Sequence, residues 1–255
     1  VDTREIDVDM EQHVKAVGAL AAAHGNALVE IANEPWHPTQ TRRLHGPVFV
    51  KTLAALVPEP VPVALGSAER DARYADSDYV TWHSPRGGGD EGWQHVLEIA
   101  EGARLIARWQ KPVIGDEPIG AAAERIAGRR DNDPGRFAAA GALTRLAGLG
   151  ATFHYEGGLQ ARVPSGRELE AFVAWSDGLE LLDGMPPGGR FLDQAELSRV
   201  AAVGGARRAF GRVFDRELWI VAVDPAPGVS AKSEAGWTFD MRGGGAGVRV
   251  FRGRR

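Results

Sequence analysis

Ala27-Leu28-Val29-Glu30-Ile31-Ala32-Asn33-Glu34-Pro35-Trp36 begins apolar and ends at a proline that follows a carboxylate. Ala27, Leu28, Val29 and Ile31 give it the character of a buried strand of the parallel kind. Pro35 has no N–H to offer a sheet ladder, so the strand is expected to stop before it. Asn33 and Glu34 then stand at the carboxyl end of a buried strand, the end at which α/β folds bind ligands. A carboxylate there is costly unless it is paired, hydrogen-bonded or used in chemistry.

Outward from this stretch, the same design returns once. Lys111-Pro112-Val113-Ile114-Gly115-Asp116-Glu117-Pro118 is another short apolar run closed by carboxylates and a proline. Between and around the two, helical and strand signals alternate. Met10–His24 has Val14, Val17, Leu20 and Ala21 at helical spacing, and Gly25-Asn26 stops it. Val48–Leu56, Gly92–Trp109, Arg136–Leu149 and Arg167–Leu182 read as further helices. Strands are expected at 27–34, 61–66, 78–84, 111–117 and 151–156, while residues 1–9 look acidic and extended. This alternation is the signature of a parallel sheet with covering helices. From about residue 188 the alternation ends. Residues 207–214 and 217–223 read as two strands about an Asp215-Arg216 turn, with two more at 237–241 and 248–251. Gly87-Gly88-Gly89 and Gly243-Gly244-Gly245 read as loops.

The 255 residues are 44% hydrophobic and 25% charged, with a net charge of -4. That balance is globular and gives no electrostatic argument for nucleic acid or an anionic membrane. With no cysteine, disulfides, thiol catalysis and cysteine-ligated metals are excluded. No apolar run is long enough to span a bilayer as a helix. Val1-Asp2-Thr3-Arg4-Glu5 is polar and does not form a signal-peptide pattern.

Asn33-Glu34-Pro35 after an apolar strand, followed by Glu117 at a later strand end, resembles the retaining glycoside hydrolases of clan A, the cellulase-like (β/α)8 barrels. The resemblance covers roughly residues 10–183. It implies that Glu34 ends strand 4 and is the acid/base, and that Glu117 ends strand 7 and is the nucleophile. Asn33 would hydrogen-bond the sugar 2-hydroxyl. The five strands would then be strands 4 to 8 of a partial TIM barrel in residues 1–187, with a small antiparallel β domain in 188–255. Strands 1 to 3 would be missing, so the chain reads as amino-terminally truncated, with an open edge on its first strand. An open five-stranded sheet fits the same count.

Trp36, His83, His154 and Glu156 fall at the same expected rim and are the candidate substrate contacts. Aromatic faces suit the apolar C–H faces of sugars. Trp82 and His83 alternate on one strand, so His83 is expected in the site and Trp82 in the core. Glu156 reads equally as a third carboxylate or a solvated loop residue. Asp116 supports Glu117 or faces outward. Strand 8 of the clan often ends in tryptophan, whereas this one reads Thr152-Phe153-His154-Tyr155-Glu156. The substrate implied is a carbohydrate, with no cofactor and no metal. Two alternatives stand beside this reading. One is a degenerate barrel that binds carbohydrate without turning it over. The other is a metal-dependent barrel hydrolase, although the seven histidines include no His-x-His or His-Glu-x-x-His pair.

Overall fold

The computed structural model describes residues 3–83, 93–117, 119–121, 133–155 and 162–255. Val1, Asp2, the Gly87-Gly88-Gly89 stretch, Pro118 and Glu156 lie outside them. The chain divides into two compact units, Val1–His83 with Ile106–Ile114, and Ser84–Leu105 with Gly115–Arg255.

The first unit begins with α1 (Thr3–His24), followed by β1 (Val29–Glu30), α2 (Pro47–Ala54), β2 (Val63–Ala64), a 3₁₀ turn at Ala72–Ala75 and β3 (Val80–Trp82). Helix α1 corrects the expectation of an extended start, since residues 3–9 belong to it. The buried seam of α1 is Val14, Gly18 and Ala21, whereas Val17 and Leu20 are exposed. A Cβ on Gly18 would meet Pro58 Cδ at 2.9 Å, so the glycine sets the closeness of that seam. Ala21 packs with Val29 and Val61.

Strands β1 and β2 are parallel, with Val29 opposite Val63 and Glu30 opposite Ala64. Ile31 N–H extends the ladder to Ala64 O at 3.0 Å. β3 follows alongside: Asp78 N–H donates to Val63 O and Ala68 N–H to Thr81 O, so both segments advance in the same direction. Val80 N–H donates to Pro112 O at 2.9 Å, just ahead of β4 (Val113–Gly115). The strands stand where they are expected but are shorter, with two or three ladder residues each.

The second unit holds α3 (Trp93–Glu98), the first part of α4 (Glu101–Trp109), β5 (Gly120–Ala121), α5 (Pro134–Ala147), β6 (Gly150–Ala151), β7 (His154–Tyr155) and α6 (Arg167–Glu180). The single helix expected over 92–109 is two. Between them Ala100 N–H, Gly102 N–H and Ala103 N–H bond three residues back, the tighter 3₁₀ pattern that interrupts an α-helix. β5 and β7 form a parallel pair, Gly120 opposite His154, that the sequence does not announce. Helix α5 starts at Asp133, whose side chain accepts from Gly135 N–H at 2.8 Å, with Pro134 at the first position. It ends at Gly148, left-handed with φ 79°. These are the N-cap and C-cap devices that helix ends require.

The chain then forms β8 (Arg190–Leu192), α7 (Gln194–Leu197), β9 (Ala201–Val213), β10 (Glu217–Ser233), β11 (Thr238–Gly245) and β12 (Val248–Arg254). They make one five-stranded sheet in the order β11-β12-β10-β9-β8, antiparallel throughout. Gly243, Gly244 and Gly245 are ladder residues of β11 rather than a loop, and the turn falls at 246–247. Residues 218–223 alternate strictly. Trp219, Val221 and Val223 join Phe137, Leu143 and Leu146 of α5, while Leu218, Ile220 and Ala222 face Leu192, Leu197, Trp237 and Phe251. That stretch is covered on both faces, which is why it reads as a continuous apolar run. Among the described residues no helix is long and apolar enough to cross a membrane.

Candidate active site

Glu34 leaves the end of β1 with φ 40°. Left-handed backbone is uncommon for a side-chain-bearing residue and carries a strain cost that the surroundings must hold in place. The holding contacts are on both sides. His37 N–H donates to Glu34 O at 2.8 Å, and Gln40 Nε2 donates to Asn33 O at 2.7 Å. Pro35 is buried, and Gly66 at the end of β2 leaves room for it. A Cβ on Gly66 would lie 2.3 Å from Ala32 O and 2.7 Å from Pro35 Cδ. The sharp Asn33-Glu34-Pro35 turn therefore depends on a glycine thirty-odd residues away.

The turn presents the Glu34 carboxylate to His83. His83 Nδ1 is 3.1 Å from Glu34 Oε1, with the imidazole 6% exposed and the Glu34 side chain 28% exposed. A bond of that geometry fixes the imidazole relative to the carboxylate. Trp82 is buried, as is His83, and only His83 reaches Glu34. Glu30, four residues earlier, accepts from Thr81 Oγ1 at 2.6 Å, so β1 and β3 are tied by side chains at two levels.

Glu69 is the residue that sequence reasoning missed. It follows β2 in Gly66-Ser67-Ala68-Glu69, and its carboxyl accepts from its own backbone N–H and from that of His83. One ligand atom from each of Glu34, Glu69 and His83 lies within 4.8 Å of the others. Glu69 is open to solvent as a residue, yet desolvation of its carboxyl pushes it above the usual carboxylate range, and the Glu34 charge adds to the effect. Its backbone hydrogen bonds and His83 act in the opposite sense.

Trp36 is half-buried. Its Nε1 donates to Ser67 O at 3.0 Å, and the Arg70 guanidinium lies 4.5 Å from its ring centroid. Asn33 is exposed. In the second unit, Glu117 and His154 are half-buried. Asp116 O accepts from Thr152 Oγ1 at 3.0 Å, and His154 pairs with Gly120 through β7 and β5. Of the residues singled out from the sequence, the first unit thus brings Glu34 and His83 together. Asn33 and Trp36 flank Glu34 in the chain, and Glu117 and His154 belong to the second unit. Glu156 lies outside the described residues.

The chain has a mixed α/β fold, with short parallel strands earlier in the sequence and a five-stranded antiparallel sheet later. Its fold resembles the crystal structure of a glycoside hydrolase family 5 protein from Bacteroides vulgatus ATCC 8482. The TM-score is 0.57 at 13% identity, over 97% of this chain and 66% of that one. The chain thus spans just under two thirds of that structure's length. No protein-family model matches the chain, and no curated protein does.

Proposed function

We propose that the chain acts as a glycoside hydrolase that cleaves O-glycosidic bonds with retention. In this reading residues 1–187 are a partial (β/α)8 catalytic barrel and 188–255 a β appendage. Glu34 is the acid/base and Glu117 the nucleophile. Asn33, Trp36, His83, His154 and Glu156 contact the carbohydrate. The observation that carries it is the Glu34–His83 pair: a carboxylate beyond the end of β1, on a strained turn, bonded to a buried imidazole beyond the end of β3. Strain of this kind concentrates at functional sites.

The chemistry asks two things of two carboxyls. One gives a proton to the leaving oxygen and later takes one from water. The other attacks the anomeric carbon and forms the glycosyl-enzyme. The roles separate by azide rescue with aryl glycosides. Glu117→Ala should lose turnover, and azide should restore it with inverted configuration, because azide enters the space the carboxylate vacated. Glu34→Ala should slow poor leaving groups by about 10²–10⁴-fold and spare the first step for activated ones. Azide should then give the retained product. Wild-type rates in both variants on both substrate types would remove this assignment.

A further inference from the structure

Glu34, Glu69 and His83 follow β1, β2 and β3 in turn, and the parallel run of these segments brings their ends together in one unit. We propose that the three side chains form a binding site for one divalent cation of the zinc type, which occupies the carboxylate that the glycosidase reading assigns as acid/base. The proposal does not depend on that reading: the metal-bound form has Glu34 ionised and coordinated, so it is a state distinct from the one in which Glu34 would act as acid/base.

The donor set selects the ion. Calcium and magnesium take oxygen ligands, six or more in number, and magnesium keeps much of its water. One imidazole nitrogen with two carboxylates suits zinc and its neighbours in the transition series. Three protein ligands leave a fourth position open, the arrangement of a zinc site that retains a water. Bonds of about 2.0–2.2 Å place ligand atoms no more than about 4.4 Å apart. Glu34 Oε1 and His83 Nδ1, 3.1 Å apart, already satisfy that. Glu69 completes the set through a small side-chain movement, which its exposure allows.

The parts are also held. His83 is 6% exposed, so its ring is fixed by packing. Its backbone N–H bonds the Glu69 carboxyl, which ties the second ligand to the first. Supporting bonds of this kind orient ligands in metal sites. The Asn33-Glu34-Pro35 turn, locked over Gly66, presents the third.

Isothermal titration of tag-free full chain with Zn²⁺ alone tests the site. One equivalent should bind saturably, and Mg²⁺ should not displace it. Glu69→Gln and Glu34→Gln should each weaken binding by about 10-fold or more, since even outer-shell partners are worth about 10–100-fold. Both residues are reached by solvent, so the glutamine forms should keep the fold, and circular dichroism verifies it. His37 and His45 lie outside the cluster, so a His37→Ala/His45→Ala variant should bind as the parent does. Absence of saturable Zn²⁺ binding would overturn the proposal. So would binding that survives both glutamine variants, or binding that disappears with His37 and His45. The titration contains no glycoside, so its result stands whether or not the azide experiment supports a glycosidase.

Discussion

At the scale of single residues, Glu34 is where local preference gives way to the site. Its φ of 40° is available to glycine without strain, whereas any side chain there carries a cost on the order of 1–3 kcal/mol. Glu34→Gly should therefore stabilise the chain by about 1 kcal/mol relative to Glu34→Ala, which keeps the strained backbone. Urea unfolding of the two variants reads this difference; equal stabilities would show that the turn is not strained. Gly66→Ala is the complementary probe. The new methyl meets Ala32 O and Pro35 at less than contact distance, and the residue has φ 142°. Overpacking costs about 1–3 kcal/mol, so the melting temperature should fall, and with it any property that depends on the Glu34 carboxylate. Asn33, Glu34 and His83 were legible as strand-end polar groups, because a carboxylate before a strand-ending proline has few bland explanations. Glu69 was not. It follows Gly66-Ser67-Ala68, which reads as loop, and no periodicity marks a loop glutamate whose carboxyl turns inward.

Among the elements, α5 and α6 approach closely enough for glycine to be required on both. A Cβ on Gly141 would lie 2.1 Å from Trp175 O, and one on Gly178 would lie 2.1 Å from Ala138 O. Each glycine admits the backbone of the other helix, and neither contact can be relieved by a rotamer. In an exposed helix, glycine to alanine stabilises by up to about 1 kcal/mol. Here Gly141→Ala and Gly178→Ala should each destabilise by at least the ~1–3 kcal/mol of an overpacked core. Thermal melts that rise for either variant would refute this packing. Helix α5 is readable from Phe137, Leu143 and Leu146 over 136–149, while the structure starts it at Pro134 and ends it at Gly148. The close approach was not readable, since a helical glycine looks the same whether it faces solvent or a carbonyl. The strands near the candidate site were found in place but overestimated in length, because an apolar run reports burial and not ladder pairing. In the tail the error ran the other way. β10 runs on through Pro225 and Pro227, beyond the strand expected at 217–223, because a register shift between Pro225 and Ser230 absorbs them. Gly243–Gly245 read as a loop from composition and are strand in the structure, with a bulge beside Met241 carrying the ladder through.

For the molecule as a whole, the charged groups determine how stability responds to acid. Among the described residues, four carboxyls lie below their ordinary values. Glu217 is held down first by Arg252 and then by Trp219 Nε1, 2.9 Å away. Asp193 is held down by the Glu196 N–H it caps and by Arg104, Asp71 by Arg73, and Asp76 by Lys51. Glu69 moves the other way through burial. A carboxyl whose folded value is depressed adds stability above its unfolded value, and that stability is lost as pH falls through the folded one. The surface pairs of Asp71 and Asp76 contribute little, because solvent screens them. Glu217 stands apart: its partner Trp219 is fully buried at the centre of the sheet, and Arg252 comes from β12 on the neighbouring strand. Ionised Glu217 therefore joins β10 to β12 across a register that also positions the core against α5. Unfolding midpoints in urea should be flat above about pH 5 and should fall below about pH 4, near the ordinary glutamate value. Glu217→Gln should lower the midpoint at pH 7 by the equivalent of about 1–2 kcal/mol, the worth of hydrogen bonds to a charged group after partial exposure. The same variant should lose less stability than the parent between pH 5 and pH 3, because the group that titrates has been removed. A constant difference between the two proteins across that range would mean that Glu217 does not carry its charge into the fold.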